Sequence, residues 1–441
     1  MGPSALPDPP VTPRGGERAA DGRPTTDLTD RRPRQDRPTV AVVGGGPAGL
    51  MAAEHLAGAG VAVTVYERMP TPGRKLLVAG RGGLNLTHDE PIDGFLDRYG
   101  SARTRLTAAV TTFGPTELRA WCDGLGQPTF VGSSRRVFPG SFRANALLAA
   151  WLGRLGDLGV ELRTGLTWAG WDGGGPVFID GDGRSVPVPA DATVLALGGA
   201  SWPRTGSDGG WVPIIEEAGI QVVPLRPANC GFVVGWSEHF GGRFAGQPLK
   251  NVRLTHDGRS VRGEAMITDA GIEGGAVYAL SGQLRDSIDR DGTAVLHVDL
   301  RPDLTADALT ARLSVRRPKE STSSLLRRAG GLAPVAVSLM REAAGPRLPD
   351  DPAALAGLAT DCPLELTAAQ SIDRAISTAG GISFDEVDDH FMLRRRPGTF
   401  VAGEMLDWEA PTGGYLLQAT FSTAVAAAEG AIRWLHVPHP A

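Results

Sequence analysis

Three glycines and one carboxylate give the first chemical signal in this chain. Gly44, Gly46 and Gly49 fall at the spacing G-x-G-x-x-G, with Pro47 and Ala48 inside it, and Glu67 follows downstream. Gly44 suits a tight turn, Gly46 lets the backbone approach a pyrophosphate, and Gly49 lets a helix pack closely on a strand. An acid about twenty residues beyond such a loop accepts hydrogen bonds from both hydroxyls of a ribose and repels a 2′-phosphate. The spacing points to a bound dinucleotide.

Two further groups extend the signal. From Pro72 to His88 the chain is dense in glycines and cations. Arg68, Arg74, Lys75 and Arg81, with Gly82 and Asn85, read as a loop wrapping a phosphate-bearing ligand. Gly198 and Gly199 end the apolar run from Thr193, where missing side chains let backbone pass close under a ligand. Near the C-terminus, Gly403 and Glu404 end another apolar run. Gly414, Tyr415 and Leu416 then open an alanine-rich helix that reaches Trp434. In FAD proteins of the two-dinucleotide-domain type, the acid at this strand end holds the ribityl hydroxyls. The dipole of the helix stabilises negative charge on the reduced flavin. No second glycine loop is flanked by strand and helix, so NAD(P)H is expected as a transient visitor rather than a resident ligand.

The elements that must position these residues follow from hydrophobic spacing. Val40–Val43 is an apolar β-rich run, Ala48 to Ala59 is helical in spacing, and Val61–Tyr66 is a second strand ending at Glu67. Thr116–Leu125 and Ala144–Leu155 have helical spacing, while Val160–Arg163 and Ala192–Leu197 read as strands. The span 222–367 breaks the pattern. Gly231–Val234, Asn251–Leu254, Ser260–Thr268 and Ala294–Val298 alternate between turn signals, and Ala306–Leu358 is helical with Pro and Gly breaks. The expected fold is α/β: an FAD-binding Rossmann-like domain of the glutathione-reductase type, interrupted by a β-barrel-like and a helical subdomain. Its expected parts are residues 39–221, 222–300, 301–367 and 368–437, behind a disordered tail over 1–38.

Bulk properties exclude several classes. A net charge of −5 over 441 residues gives no global attraction to nucleic acid or to membrane. Cys122, Cys230 and Cys362 form no C-x-x-C, which excludes a disulfide relay and fits core positions in a reducing cytoplasm. Arg31-Arg32 precedes the nucleotide-binding strand rather than a leader with a cleavage site, so it is not read as an export signal. No apolar run is long enough to span a bilayer, and no metal site is expected.

Taken together, Gly44–Gly49, Gly73–His88, Gly198–Gly206, Thr268–Ser281 and Ala379–Gln418 resemble the BaiN/RdsA-like family of NAD(P)/FAD-dependent oxidoreductases. The resemblance covers nearly everything from Thr39 to Trp434. It implies reduction of activated C=C bonds, in uracil of ribosomal RNA for one branch and in steroid enones for another. Many members read S-G-x-G-R-C-N-x-T-N where this chain reads from Ala79 to His88. Asn85 and Thr87 match, but Gly83 and Leu84 replace the arginine and the cysteine. The chain therefore resembles a divergent subgroup of the family, without that thiol.

The reaction so implied needs a hydride on one face of the C=C and a proton on the other. His88 and Glu273 are the candidate catalytic residues, with Arg204 and Tyr415 sharing the expected cleft and Trp408 and Tyr415 as ring-stacking walls. Arg312, Arg316, Arg317, Lys319, Arg327 and Arg328 cluster with only Glu320 opposing them. Such a run usually coats a solvated helix face, so a small-molecule acceptor is favoured over ribosomal RNA. A non-catalytic flavin-binding redox sensor or electron carrier is the reading of another class.

Overall fold

The computed structural model describes residues 37–345 and 347–436. The expected tail therefore lies, but for Arg37 and Pro38, outside the described residues. A five-stranded parallel sheet is built from β1 (Thr39–Val43), β2 (Ala62–Glu67), β3 (Glu161–Thr164), β4 (Ala192–Leu195) and β5 (Thr399–Val401), in the order β5-β4-β1-β2-β3. Val40, Val42, Val194, Leu195 and Val401 are buried, as apolar runs covered on both faces require. The segments before and after the insertion meet in this sheet, because β5 pairs with β4 from Thr193↔Thr399 to Leu195↔Val401.

Helix α1 (Pro47–Gly58) follows β1, with Gly46 as N-cap and Pro47 in the first turn, where a missing N–H costs nothing. It is buried nearly all round because α3 (Tyr415–His436) packs over it. Ala-rich faces bring the two helices close: Ala52, Ala53, Ala424, Ala427 and Ala428 are all inaccessible to solvent. Glu54, buried on α1, is compensated by the Trp121 indole N–H at 2.9 Å and by Arg154 at 3.0 Å, from the helices Pro115–Gly124 and Ala144–Asp157. A third helix, α2 (Arg74–Ala79), lies beyond β2, and the Gly73 N–H donates to the Gly45 carbonyl at 2.8 Å. That bond ties the cationic segment to the glycine loop.

The insertion has its own core, from Cys230 to Ala375. A seven-stranded sheet runs in the order Cys362–Leu366, Ala294–Asp299, Pro248–His256, Arg259–Ile267, Gly271–Glu273, Phe232–Val233, Ala368–Ala369. Its two outermost strands are separated by one residue, Thr367, which spans only ~7 Å. The sheet therefore curls until its edges nearly meet, giving the barrel-like form. Four helices over Ala306–Leu313, Thr322–Arg328, Pro334–Ala344 and Pro352–Thr360 interrupt it between adjacent strands and share its core. The boundaries differ from those drawn on the sequence. Val222–Ala228 and Ser377–Ile382 form an antiparallel ribbon whose outer residues Val222 and Ile382 pack into the FAD-domain core, so the insertion proper starts near 230. Two strands that the sequence did not signal, Cys362–Leu366 and Ala368–Ala369, complete its sheet.

A Cβ on Gly49 would lie 1.9 Å from the carbonyl oxygen of Gly44, with backbone on both sides of the contact. Overpacking of this kind costs about 1–3 kcal/mol. Gly49→Ala should lower the melting temperature of the flavin-free chain by that equivalent, and an unchanged melting temperature would show that α1 can slide away from β1.

Candidate active site

A cavity of about 560 Å³ opens along the C-terminal ends of β1, β2, β4 and β5, where ligands sit in open parallel sheets. The glycine loop forms its floor. Gly44 has φ +106° and donates its N–H to the Tyr66 carbonyl at 2.7 Å. A side chain there would meet the Ala196 carbonyl oxygen at 2.4 Å. Gly46 is the opposite case: a Cβ would touch nothing within 4 Å, because the position faces the cavity. The free amides and positive dipole end of α1 point the same way.

Carboxylates stand along this cavity. Glu67 Oε2 accepts the Gly45 N–H and Oε1 accepts the Met69 N–H, both at 2.7 Å. Each oxygen keeps a second lone pair for a hydroxyl. Glu404, on the turn after β5, pairs with Lys75 Nζ at 2.7 Å, and Lys75 also donates to Ser201 Oγ at 2.8 Å. Asp208 pairs with Arg68 at 2.7 Å. Burial alone would raise the Asp208 carboxyl, but the Arg68 guanidinium and the Gly210 amide outweigh it and hold it below its ordinary range. Arg74 and Arg136 line the cavity with no ion-pair partner among the described residues.

The far end of the cavity is closed by the loop before α3. Gly413 and Gly414 have φ +134° and +102°, and a Cβ on Gly414 would lie 2.4 Å from the Thr87 backbone. Leu416, Leu417 and Thr420 of α3 line this end, facing Leu84 and Asn85. Asn85 Oδ1 is buried without a hydrogen-bond partner among the described residues.

Most of the expected binding residues come together here. Gly44, Gly46, Pro47, Ala48, Glu67, Arg68, Arg74, Lys75, Asn85, Gly198, Glu404, Gly414 and Leu416 line the cavity. Gly49, Gly199 and Gly403 do not line it: they pack against the Gly44 carbonyl, the Thr378 side chain and Ala48. Gly82 also stays outside it, and the Arg81 side chain lies outside the described residues. Tyr415 turns away, with its hydroxyl donating to Glu90 Oε1 at 2.5 Å, and its pKa is raised, chiefly by burial and then by Glu90.

Neither candidate catalyst lines the cavity. His88 lies behind the Gly413 loop, with Nδ1 at 3.1 Å from the Gly413 carbonyl and its ring stacked on Tyr415 at 5.2 Å between centroids. Glu273 sits on a short strand of the inserted sheet, opposite Met266. Arg204 is exposed outside the cavity, and the Trp408 indole is buried, donating to the Gly403 carbonyl at 2.9 Å. Leu84, at the position of the family's cysteine, is a fully buried wall residue. The three thiols lie elsewhere, and burial pushes Cys122 and Cys362 up to about 12 and Cys230 up to about 11.

Three tryptophans were not anticipated. Trp168 comes from a three-stranded meander (Thr167–Asp172, Gly175–Ile179, Ser185–Pro187), Trp211 donates to the Gly198 carbonyl at 2.8 Å, and Trp202 lines the cavity 40% exposed at φ +56°. A lone aromatic in a sequence carries no mark of the cavity it faces.

These residues fit FAD. The open face at Gly46, the unpaired Arg74, and the unpartnered Asn85 Oδ1 supply sites for a pyrophosphate and for a ring N–H. Glu67 and Glu404 would hold the ribose and ribityl hydroxyls. Residues 38–430 match the family described as HI0933-like protein Rossmann domain. The chain belongs to this family. As an HI0933-like protein it is an FAD-dependent oxidoreductase. It is 26% identical to a 3-dehydro-bile acid Δ(4,6)-reductase of Clostridium scindens, over 89% of this chain and 98% of the relative. It is 24% identical to a ribosomal RNA dihydrouridine synthase of Escherichia coli, over 90% and 98%. Among solved structures, a flavocytochrome c3 fumarate reductase in an open conformation aligns with TM-score 0.50 at 15% identity, covering 91% of this chain and 79% of that one. A 3-ketosteroid Δ1-dehydrogenase of Sterolibacterium denitrificans aligns with TM-score 0.50 at 13% identity, over 90% and 99%. Both likenesses concern the fold alone. Among the described residues of this HI0933-like protein, no helix is long and apolar enough to cross a membrane and no cluster of side chains could hold a metal ion.

Gly46→Val separates folding from binding in this protein. With φ −81° and open space around its Cβ, valine should leave the melting temperature of the flavin-free chain within about 0.5 kcal/mol of its starting stability. The same side chain enters the pyrophosphate position, so FAD titration should detect no stoichiometric binding. Retention of one FAD per chain would remove the pyrophosphate from this loop.

Proposed function

We propose that the chain reduces an activated C=C bond in a small-molecule acceptor, with NAD(P)H as the reductant that visits and leaves. The observation that carries this reading is the convergence of the α3 N-terminus, Leu84 and the unpartnered Asn85 at one end of the cavity. A 22-residue helix ending there favours negative charge next to its first amides. Bound FAD supplies a two-electron carrier between the nicotinamide and the alkene. The protein's own residues do the rest. Leu84, Leu416 and Leu417 exclude water from the reacting end, while Lys75 holds Glu404 in place for the ribityl chain. Arg136, free of ion pairs at the cavity wall, is suited to hydrogen-bond the acceptor carbonyl that activates the alkene. His88 acts through the Gly413 carbonyl, orienting the loop rather than supplying the proton.

The bile-acid reductase relative supports a small acceptor. The dihydrouridine synthase relative keeps RNA as a second reading, and the basic segment is where the two part. Arg328 is held by Glu320 at 2.8 Å and by the Val315 carbonyl, and Arg316 donates to Thr322 Oγ1. Arg312, Arg317 and Arg327 are exposed and outside any ion pair among the described residues. Internal engagement of the other two weakens the case for a phosphate-binding face.

Anaerobic NADPH or NADH should bleach the flavin, and a 3-keto-4-ene steroid should restore its absorbance with uptake of two electrons per C=C. Arg312, Arg317 and Arg327→Glu should leave that turnover unchanged. RNA binding that falls log-linearly with salt and is lost in the triple variant would overturn the small-molecule reading.

A further inference from the structure

Asn229 lies where the chain enters the insertion, outside the cavity, and none of the chemistry above uses it. It is 2% exposed, has φ +51°, and makes hydrogen bonds to three separate segments. Its backbone N–H donates to Ser281 Oγ at 3.0 Å, on the helix Ser281–Asp291 of the insertion. Its carbonyl accepts the Ile376 N–H at 3.3 Å, just before the strand Ser377–Ile382 that leaves the insertion. The side-chain Nδ2 donates to Ser377 Oγ and to the Ala410 carbonyl, both at 2.8 Å, and Oδ1 accepts the Thr412 N–H at 3.1 Å. Both amide donors and the acceptor are used, which fixes the orientation of the side-chain amide.

The last two bonds matter most, because Thr412 leads directly into Gly413 and Gly414. Two consecutive glycines at positive φ carry more backbone freedom than any other pair, and α3 cannot aim its first amides while they move. Three contacts hold them: Asn229 on Thr412, His88 on the Gly413 carbonyl at 3.1 Å, and the Thr87 backbone against Gly414. Only the first reaches across from the insertion. A neighbouring tie reinforces it: Arg285, 2% exposed on the same insertion helix, donates to both oxygens of Glu409 at 3.1 and 2.7 Å and to the Pro227 carbonyl at 3.0 Å. Glu409 precedes Ala410, so the approach to the loop is held at two adjacent points, by Arg285 and by Asn229, which itself rests on Ser281 of the same helix.

We propose that Asn229 is a positioning residue through which the seating of the inserted domain sets the place of the α3 N-terminus, and with it the electron affinity of the flavin. The second half of this statement rests on the cavity being the FAD site; the first half does not. With the amides of Thr412, Gly413 and Gly414 held in place, the dipole of α3 stabilises the reduced, negatively charged cofactor. With the loop released, that stabilisation weakens and the potential falls.

Asn229→Gly tests this without strain, since glycine accepts φ +51° and removes only the side chain. Hydrogen exchange on the flavin-free variant should show the Thr412 amide exchanging at least about fivefold faster, the loss of one hydrogen bond. The loaded variant should have a lower flavin midpoint potential. Asn229→Asp keeps the acceptor for Thr412 and should keep most of that protection. Ser377→Ala provides the control: it removes a bond to Asn229 but none to the loop, so it should lower the melting temperature and leave the potential unmoved. Unchanged Thr412 exchange in Asn229→Gly would overturn the positioning role, whatever the cofactor is. Equal shifts of potential in Asn229→Gly and Ser377→Ala would reduce Asn229 to a general stabiliser and overturn the proposal. Failure of the FAD reading alone would show as absent flavin in the unaltered protein, with the exchange result standing.

Discussion

Two helix N-termini must end beside one ligand, and close approach between backbones makes that possible. The first depends on Gly49, where no side chain fits between α1 and the turn at Gly44, and on Gly44 itself, where none fits against Ala196 just past β4. The second depends on Gly414 against Thr87, which brings α3 over the strand Thr87–His88. Because α1 and α3 also pack on each other through alanines, the two N-termini are fixed relative to one another as well as to the sheet. Such a rigid pair would suit a negatively charged pyrophosphate at one N-terminus and a ring that gains charge on reduction at the other.

The cations and carboxylates along the cavity depend on that geometry. Lys75 reaches both Ser201 and Glu404 because the Gly73–Gly45 hydrogen bond seats α2 against the glycine loop. Glu404 is in reach because β5 pairs with β4 and ends level with it. Removing one partner of the Lys75–Glu404 pair leaves the other half-buried and uncompensated, so the pair is better understood as holding two ligand-binding groups in register than as a source of stability. The insertion enters the same network at its edge, through Asn229 and Arg285, rather than by covering the loop with side chains of its own sheet.

How much of this was legible before the structure depended on whether a role is local. Gly44, Gly46, Gly49 and Glu67 are tied together by spacing within one strand-helix-strand unit, and the structure has that unit, with Gly44, Gly46 and Glu67 on the cavity and Gly49 packed against Gly44. Glu404 and Gly414 were readable because a strand end and a helix start leave glycines in the sequence. His88 and Glu273 were misplaced for a common reason: each lies near a motif in sequence, but chain direction decides which side of the loop a side chain faces. Trp168, Trp202, Trp211 and Arg136 were invisible because no local pattern marks them: Trp168 comes from the meander, Arg136 from a strand paired with His88, and Trp202 and Trp211 from the segment that follows β4. The strand Cys362–Leu366 was hidden by the helices before it, since its partner Ala294–Asp299 stands over sixty residues away in the chain.

The account stands on the cavity being a site for FAD, and the most direct measurement is the identity and amount of flavin released when the purified protein is denatured. Chromatography of the supernatant should give FAD at one equivalent per chain, with no FMN, because the Gly46 face and Glu67 serve a pyrophosphate and an adenosine ribose that FMN lacks. FMN in place of FAD, or a chain that folds and neither contains nor takes up flavin, would contradict it.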